Sequence, residues 1–484
     1  MNWRDNCHRF HRSINSSAKP QEKDRTIQLS LQVADDITSI NQLERYVNHL
    51  GQQIKRQLFT NMLAQLAQSE SQSDSSPSTC PNCQKTETMA WGNRPRVLKT
   101  VFGPVHFRLP RQKCRPCQHT FSLSKPGLEL NGSNVTSELR KIAILCGSSW
   151  PFRQAANVLL QLTGVELSFS HIRWLCANQA EIVSTQDQTE SDQVEWEALA
   201  ETTEVLVESL VDQPRPPMAP SAHHPSVQPT YIGIDGTFIN AQPAKRFLEA
   251  KAAIIFTNHR VTVSKGRNVL QNKRYVGTCL SVSELSQKLF SCARKMGVTD
   301  QSPLIILADG ARWISQLAQR QYPKAKLILD WWHLKKRLWQ TVDWLKRHGL
   351  PSKDSHDWAG QISDWLWRGK VGAALQSCLD LGQQMGLAAP ADKSQTQLGE
   401  SSLQSFYLYL RNNFNSIVDY HSYRKKGCYI SSVLVEKTID LLVCRRLKLR
   451  GQNWSRQGAD NLLVFRQMML NDQWPNYWLG RKTA

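Results

Sequence analysis

Along Ile40–Leu66, apolar side chains fall at Leu43, Tyr46, Val47, Leu50, Ile54, Leu58, Met62 and Leu63. That recurrence every three to four residues predicts one amphipathic helix, whose face serves packing on its own chain or self-association equally well. Short strand-like runs follow at Arg96–Val101 and Val105–Leu109. Three short helical patterns come next, Ser137–Cys146, Pro151–Leu162 and Ser170–Gln179, broken at Gly147-Ser148-Ser149 and around Gly164. From Tyr231 the rhythm turns to strands. Tyr231–Thr237, Phe247–Thr257 and Arg274–Leu280 predict a three-stranded meander, and Ser283–Met296 a helix. Pro303–Ala308 and Ala325–Leu329 are buried strands, separated by a helix that begins near Arg312. Beyond His333 a long helical stretch carries Trp339, Trp344, Trp358, Trp365 and Trp367 at spacings that usually mean core, with base stacking as the rival use.

Two compositional breaks interrupt these patterns: the polar run Gln68–Thr79, and a longer acidic and then Pro-rich stretch over 181–230. The predicted organisation is a helical region at 1–67, a spacer at 68–79, a cysteine-bracketed module at 80–126 and a three-helix module at 127–180. A linker at 181–230 leads to an α/β region at 231–338 that resumes at 427–470, with helices at 339–426 between its parts and a tail at 471–484. A chain of 484 residues exceeds one ordinary core, so a multidomain α/β protein is expected. No run approaches the ~20 apolar residues of a membrane span, and no apolar core follows the charges of MNWRDNCHRFHRSINSS. A cytoplasmic setting without membrane partners is expected, with the twelve cysteines as thiols or metal ligands.

Charge changes the picture. Sixty Lys and Arg against forty Asp and Glu leave +20, while Glu181–Pro214 holds ten acids and no Lys or Arg. A cationic excess of this size points to a polyanionic partner, DNA first, against the plainer reading of charge kept for solubility.

Cys80-Pro-Asn-Cys83 and Cys114-Arg-Pro-Cys117 form a paired CxxC signature. Each knuckle sets two thiolates on one side of a tight turn, and two knuckles complete the tetrahedral shell of structural Zn²⁺, predicting a zinc ribbon. A redox site is the competing use, but it needs one CxxC in a βαβ setting. Arg111, Lys113 and Arg115 flank the second knuckle, as phosphate contacts or as a solvated face. The three helices suggest a helix-turn-helix-like module capped at Ser168 or Ser170, with His171, Arg173 and Trp174 toward a DNA groove; a plain bundle fits the spacing equally.

Three buried strands end in an acid: Asp235 before Gly236, Asp309 before Gly310, and Asp330 with His333 three residues on. The order βββ-α-β-α-β with acids ending strands one and four is that of an RNase H-like mixed sheet, in which those two strands are neighbours. Adjacent carboxylates repel unless a hard divalent cation such as Mg²⁺ or Mn²⁺ neutralises them, and a two-ion site of this kind cleaves phosphodiesters. For any single Asp-Gly a simple turn is the rival reading. Position alone leaves the third acid open between Asp330 and a later glutamate. Lys335, Lys336 and Arg337 stand where they can hold a DNA backbone.

Gly427-Cys-Tyr-Ile-Ser-Ser-Val-Leu-Val-Glu436, followed by Arg445-Arg-Leu-Lys-Leu-Arg-Gly-Gln-Asn-Trp454, resembles the C-terminal signature of bacterial insertion-sequence transposases of the Mutator-like DDE group. The likeness covers roughly 231–466. It implies a catalytic, metal-binding triad of Asp235, Asp309 and Glu436 holding two Mg²⁺ or Mn²⁺ ions, Asp330 and His333 supporting it from behind, and an all-helical insertion between the second and third acids. Glu436 is preferred to Glu400 because the basic-Trp stretch follows only the former. Arg446, Lys448, Arg450 and Trp454 are expected on DNA. The implied function is cleavage at transposon ends and strand transfer by a homodimer or larger assembly at the bacterial nucleoid. The alternatives are a metal-dependent DNA nuclease of the same fold and a domesticated, non-catalytic DNA-binding protein.

Overall fold

The structure, a computed structural model, describes residues 38–69, 79–122, 134–203, 228–243, 246–265, 267–387 and 402–479. The polar spacer at 70–78, the Pro-rich stretch at 204–227 and Glu400 lie outside the described residues. The chain divides into two compact units, Met1–Leu98 with Phe102–Leu128, and Lys99–Val101 with Glu129–Ala484. Among the described residues no helix is long and apolar enough to cross a membrane.

In the first unit, α1 (Ile40–Ser69) is the helix its periodicity predicts, and β1 (Thr88–Thr100), β2 (Gly103–Cys114) and β3 (Thr120–Ser122) form a three-stranded sheet in that order. Arg56 on α1 donates from Nε to the Phe102 carbonyl at 2.8 Å, and Phe59 meets the Phe102 ring at 5.8 Å. Leu63 is buried, whereas Leu43, Val47 and Met62 stay exposed, so only part of the apolar stripe packs on its own chain.

The second unit opens with α2 (Ser137–Ser149), α3 (Phe152–Thr163) and α4 (Phe169–Thr203). Gly164, in the left-handed conformation at φ 69°, ends α3, and the Ser168 hydroxyl accepts the His171 N–H at the start of α4. Two expectations are corrected here. The third helix does not stop at Gln179 but runs through the acidic stretch to Thr203, because Gln179–Thr203 contains neither Gly nor Pro and is rich in Glu and Ala, which favour helix. Nor do the three helices stand as a separate module. Leu139, Leu159, Ile172 and Val183 share one core with Ile239, Ala250, Leu442, Phe465 and Trp478.

Five strands make the central sheet: β4 (Thr230–Ala241), β5 (Arg246–Thr257), β8 (Lys273–Thr278), β9 (Leu304–Ala308) and β10 (Lys326–Leu329), in the spatial order β10-β9-β4-β5-β8. The pairs β4–β5 and β5–β8 are antiparallel, while β4–β9 and β9–β10 are parallel, so the sheet is mixed. Between β5 and β8 the chain forms an unanticipated two-stranded hairpin of β6 (Arg260–Ser264) and β7 (Arg267–Leu270). The helices α5 (Val282–Lys295) and α6 (Arg312–Gln321) pack Leu285, Leu289, Ile314 and Leu317 on Ile232, Ile234, Ile255 and Ile306.

After β10 come α7 (Trp331–Arg347), α8 (Ser352–Trp367), α9 (Val371–Gln384), α10 (Leu403–Asn412) and α11 (Tyr420–Lys425), the helical stretch that the tryptophan spacing predicts. Leu338, Ile362, Leu366 and Leu410 bury against Tyr231, Phe256 and Leu307 of the sheet. Trp331, Trp367 and Tyr420 pack ring against ring, and the Trp358 indole donates to Ser377, so these aromatics serve the core. The chain closes with α12 (Val433–Ile439), a π-helical turn at Asp440–Cys444, α13 (Arg445–Leu447), α14 (Arg456–Leu470) and α15 (Trp474–Leu479). The expected tail from 471 is thus partly helix, because Trp478 fills core space.

Strand β8 ends the sheet, and its outward backbone groups would be orphaned beneath a covering helix. Polar side chains of α14 and of Asn471, which caps its end, satisfy them instead. Asn471 accepts from the Tyr275 N–H at 2.8 Å and donates to its carbonyl at 2.9 Å. Gln467 accepts from Gly277, and Asp460 accepts from Cys279 and from the Thr278 hydroxyl.

Candidate functional site

The odd-numbered residues of β4 share one face of the strand, which carries Tyr231, Gly233 and Asp235. Gly233 is what lets α12 approach. A Cβ at that position would lie 2.2 Å from Val435 Cγ2, so α12 rests directly on the strand and brings Glu436 toward Asp235. In the parallel pairing Gly233 faces Leu307, so Asp235 and Asp309, each two residues further on, lie at the same level, Asp309 just past the end of β9 and Asp235, against expectation, inside β4, which continues to Ala241 against β5. Gly310 follows with φ 91°, pressed against the Tyr409 ring, while the Tyr409 hydroxyl donates to the Asp309 carbonyl at 2.9 Å.

Asp235 accepts the N–H of Gly236 at 2.7 Å, and Asp309 accepts that of Ala311 at 2.8 Å. Each uses one carboxylate oxygen in that bond. Burial pushes the Asp235 carboxyl up to about 6; Asp309 and Glu436 add to the rise, and the Gly236 N–H and His333 oppose it. Asp235 therefore lies within electrostatic reach of Asp309, Glu436 and the His333 imidazole. Glu436 is exposed, and the three carboxylates are grouped more loosely than the ribbon thiols.

Asp330 is fully buried and caps α7 by accepting the Trp332 N–H at 2.9 Å. Its second oxygen takes His333 Nδ1 at 2.5 Å and a short hydrogen bond from the Ser432 hydroxyl. Burial alone would raise this carboxyl, but the hydrogen bonds from His333, Ser432 and Trp332 carry it below its ordinary value. With both oxygens engaged, Asp330 ties the starts of α7 and α12 together. The hydrogen bond to Asp330 holds His333 above the usual imidazole range despite burial, and Asp309 and Asp235 reinforce it. Since Nδ1 is committed to Asp330, Nε2 is the ring nitrogen left for other partners.

Cys80, Cys83, Cys114 and Cys117 form a cluster able to hold a metal such as zinc, their sulfur atoms all within 4.8 Å of one another. Among the described residues it is the group of three or more Cys, His, Asp or Glu whose donor atoms gather this tightly. Beside it Arg111 donates to the Thr120 hydroxyl, the Lys113 ammonium lies 4.4 Å from the Trp91 ring centre, and Arg115 is exposed.

The other residues expected on DNA divide by exposure. Arg173, Lys336, Arg337, Lys448 and Arg450 are exposed, while His171 and Lys335 are half-buried. Arg337 also stacks its guanidinium 4.8 Å from the Tyr409 ring centre, and Lys448 donates to the Thr237 hydroxyl two residues beyond Asp235. Arg446 and Trp454 are corrected. Arg446 is wholly buried, donates to the Gly147 carbonyl at 3.0 Å and lies 5.0 Å from the ring centres of both Phe152 and Trp454. The buried Trp454 indole donates to the Leu447 carbonyl. The pair joins the C-terminal helices to α2 and α3 and presents nothing to a ligand.

Sequence reasoning missed Gly233, Tyr409 and Ser432, whose roles depend on distant partners; only the Ser-Ser lead-in to Glu436 hinted at the last. Comparison with protein-family models and with curated proteins finds no match for this chain.

Proposed function

We propose that this protein is a DNA transposase of the DDE kind, cutting at transposon ends and joining them to target DNA. The observation that carries the reading is the convergence on one face of the sheet of Asp235 in β4, Asp309 just past the neighbouring β9 and Glu436 on α12, which packs on Gly233, with Asp309 and Glu436 both acting on the half-buried Asp235. The strand order, with two antiparallel pairs on one side of β4 and two parallel pairs on the other, supports an RNase H-like classification. A net charge of +20 supports a polyanionic substrate.

The donor set fits hard divalent cations. Asp235 and Asp309 each keep an oxygen outside their backbone hydrogen bonds, and the like charges of Asp309 and Glu436 account for part of the upward pull on Asp235, which His333 offsets only in part. Asp235, Asp309 and Glu436 would hold Mg²⁺ or Mn²⁺, which when bound neutralises this repulsion and polarises the scissile phosphoryl group. The chain's own residues do the rest. Asp330 fixes the His333 ring, and His333 keeps a proton near the acids at pH values where a free imidazole would lose it. Lys448 and Arg337 line the approach with positive charge. Joining two ends in one event calls for a homodimer or larger assembly.

The test uses duplexes carrying the DNA that flanks the gene, with Mg²⁺ present. Asp235→Asn, Asp309→Asn and Glu436→Gln should each abolish cleavage and joining while end binding persists. Variants that nick and join at wild-type rates would overturn the assignment. Cleavage by the wild type without joining of pre-cut 3′-OH ends would make the protein a nuclease.

A further inference from the structure

We propose that the β6–β7 hairpin is a duplex-DNA contact in its own right, a cationic ribbon that enters the major groove away from the acid site. From Ala250 to Ser283 the chain contains no Asp or Glu, but it contains Lys251, Arg260, Lys265, Arg267, Lys273 and Arg274. Lys251 is consumed inside the fold by its ion pair with Glu249. The others belong to the hairpin and its two stems.

The hairpin has the form a groove reader needs. All five residues of β6 are exposed, including Val261 at 42% and Val263 at 63%, although valine on a two-stranded ribbon ordinarily seeks cover. The strands are braced internally, for Thr262 donates across to Asn268 at 2.8 Å. The base is anchored: Leu270 is buried, and Arg260 donates to the Tyr429 hydroxyl at 3.0 Å. Tyr429 in turn packs 5.1 Å from both Tyr231 and Phe256. An anchored base with an open strand and Lys265 at its turn describes a projecting arm.

A two-stranded ribbon fits the B-DNA major groove, about 12 Å wide, where cations reach phosphates and small apolar side chains meet thymine methyl groups. Its place in the sheet sets the arm apart from the acids. Thr257, at the stem, pairs with Thr230 at the start of β4, whereas Asp235 pairs with Ala252. At about 3.3 Å per residue the stem lies roughly 17 Å along the sheet from the acid level. The ribbon therefore holds duplex beyond the site of chemistry. It shares with the proposed function only the choice of DNA as partner.

The experiment measures binding of the full chain to a short mixed-sequence DNA duplex over a series of salt concentrations, without divalent ions, so that no cleavage enters. K265A/R267A should weaken binding by about tenfold near 0.1 M salt and lower the slope of log affinity against log salt by about 1 to 2, with thermal melting unchanged. Unchanged affinity and slope would overturn the proposal. So would an equal loss on duplex RNA, whose major groove is too narrow for the ribbon, or a change confined to sedimentation, which would mark the arm as a contact between copies. Failure of the cleavage test leaves this result standing, and failure here leaves the acid site untouched.

Discussion

Asp235 meets a like-charged neighbourhood inside a partly closed site, and its titration follows. A carboxyl held at about 6 when folded against 3.8 when unfolded keeps its proton longer in the folded chain. Its contribution to stability is complete below about pH 4 and is lost as pH rises through 6. Without divalent ions, Asp235→Asn is therefore expected to stabilise the protein by about 2 kcal/mol at pH 8 and by little at pH 4; urea titrations at the two pH values would show it, and equal effects at both would refute the shift. Arg446 makes the opposite point. Arg446→Ala should cost about 2–4 kcal/mol by emptying the space between two rings and orphaning the Gly147 carbonyl, with DNA affinity unchanged at temperatures where the fold persists. A DNA-contact role would instead show lost affinity and an unchanged melting temperature. The acids Asp309 and Asp330 were legible as strand ends because a buried run ending in a carboxylate is a local pattern, whereas Asp235 lies inside β4, which runs on to Ala241 because its second half pairs with β5. The burial of Arg446 was not, since its acceptor lies 299 residues away in the chain and a basic-aromatic motif reads the same on a surface or in a core.

At the scale of elements, the approach of α12 to β4 decides whether Glu436 reaches the acid locus. Gly233→Ala places a methyl 2.2 Å from Val435 Cγ2. Overpacking of this kind costs about 1–3 kcal/mol. It should also lower cleavage by displacing Glu436, and Val435→Ala in the same chain should recover much of both losses. A double variant no better than the single one would show that α12 does not rest on this contact. The clamp of α14 on β8 is equally specific: Asn471→Ala strips partners from two buried backbone groups of Tyr275, at about 2–4 kcal/mol, read by denaturant melts. The sheet strands and the helical insertion were legible because their periodicity is strong over several residues. The β6–β7 hairpin was not, because its alternation is short and every residue of β6 is exposed.

Across the whole molecule the two units answer to different forces. The first, small and loosely cored, carries the four-cysteine cluster able to hold a metal such as zinc; for the zinc-loaded protein a high-affinity chelator should melt its sheet while the melting transition of the second unit stays in place. A single transition that collapses on chelation would contradict that division. In the second unit the sheet faces α2–α4 on one side of the sequence and α12–α15 on the other, with one core common to all of them. Linear order therefore sets a timetable for synthesis. Leu139, Leu159 and Leu175 leave the ribosome well before the residues that complete their core, Leu442, Leu463 and Phe465, about 300 residues later in the chain. The nascent chain must carry that oily surface only partly covered until residues 442–465 have emerged, so its first helices wait on its later ones.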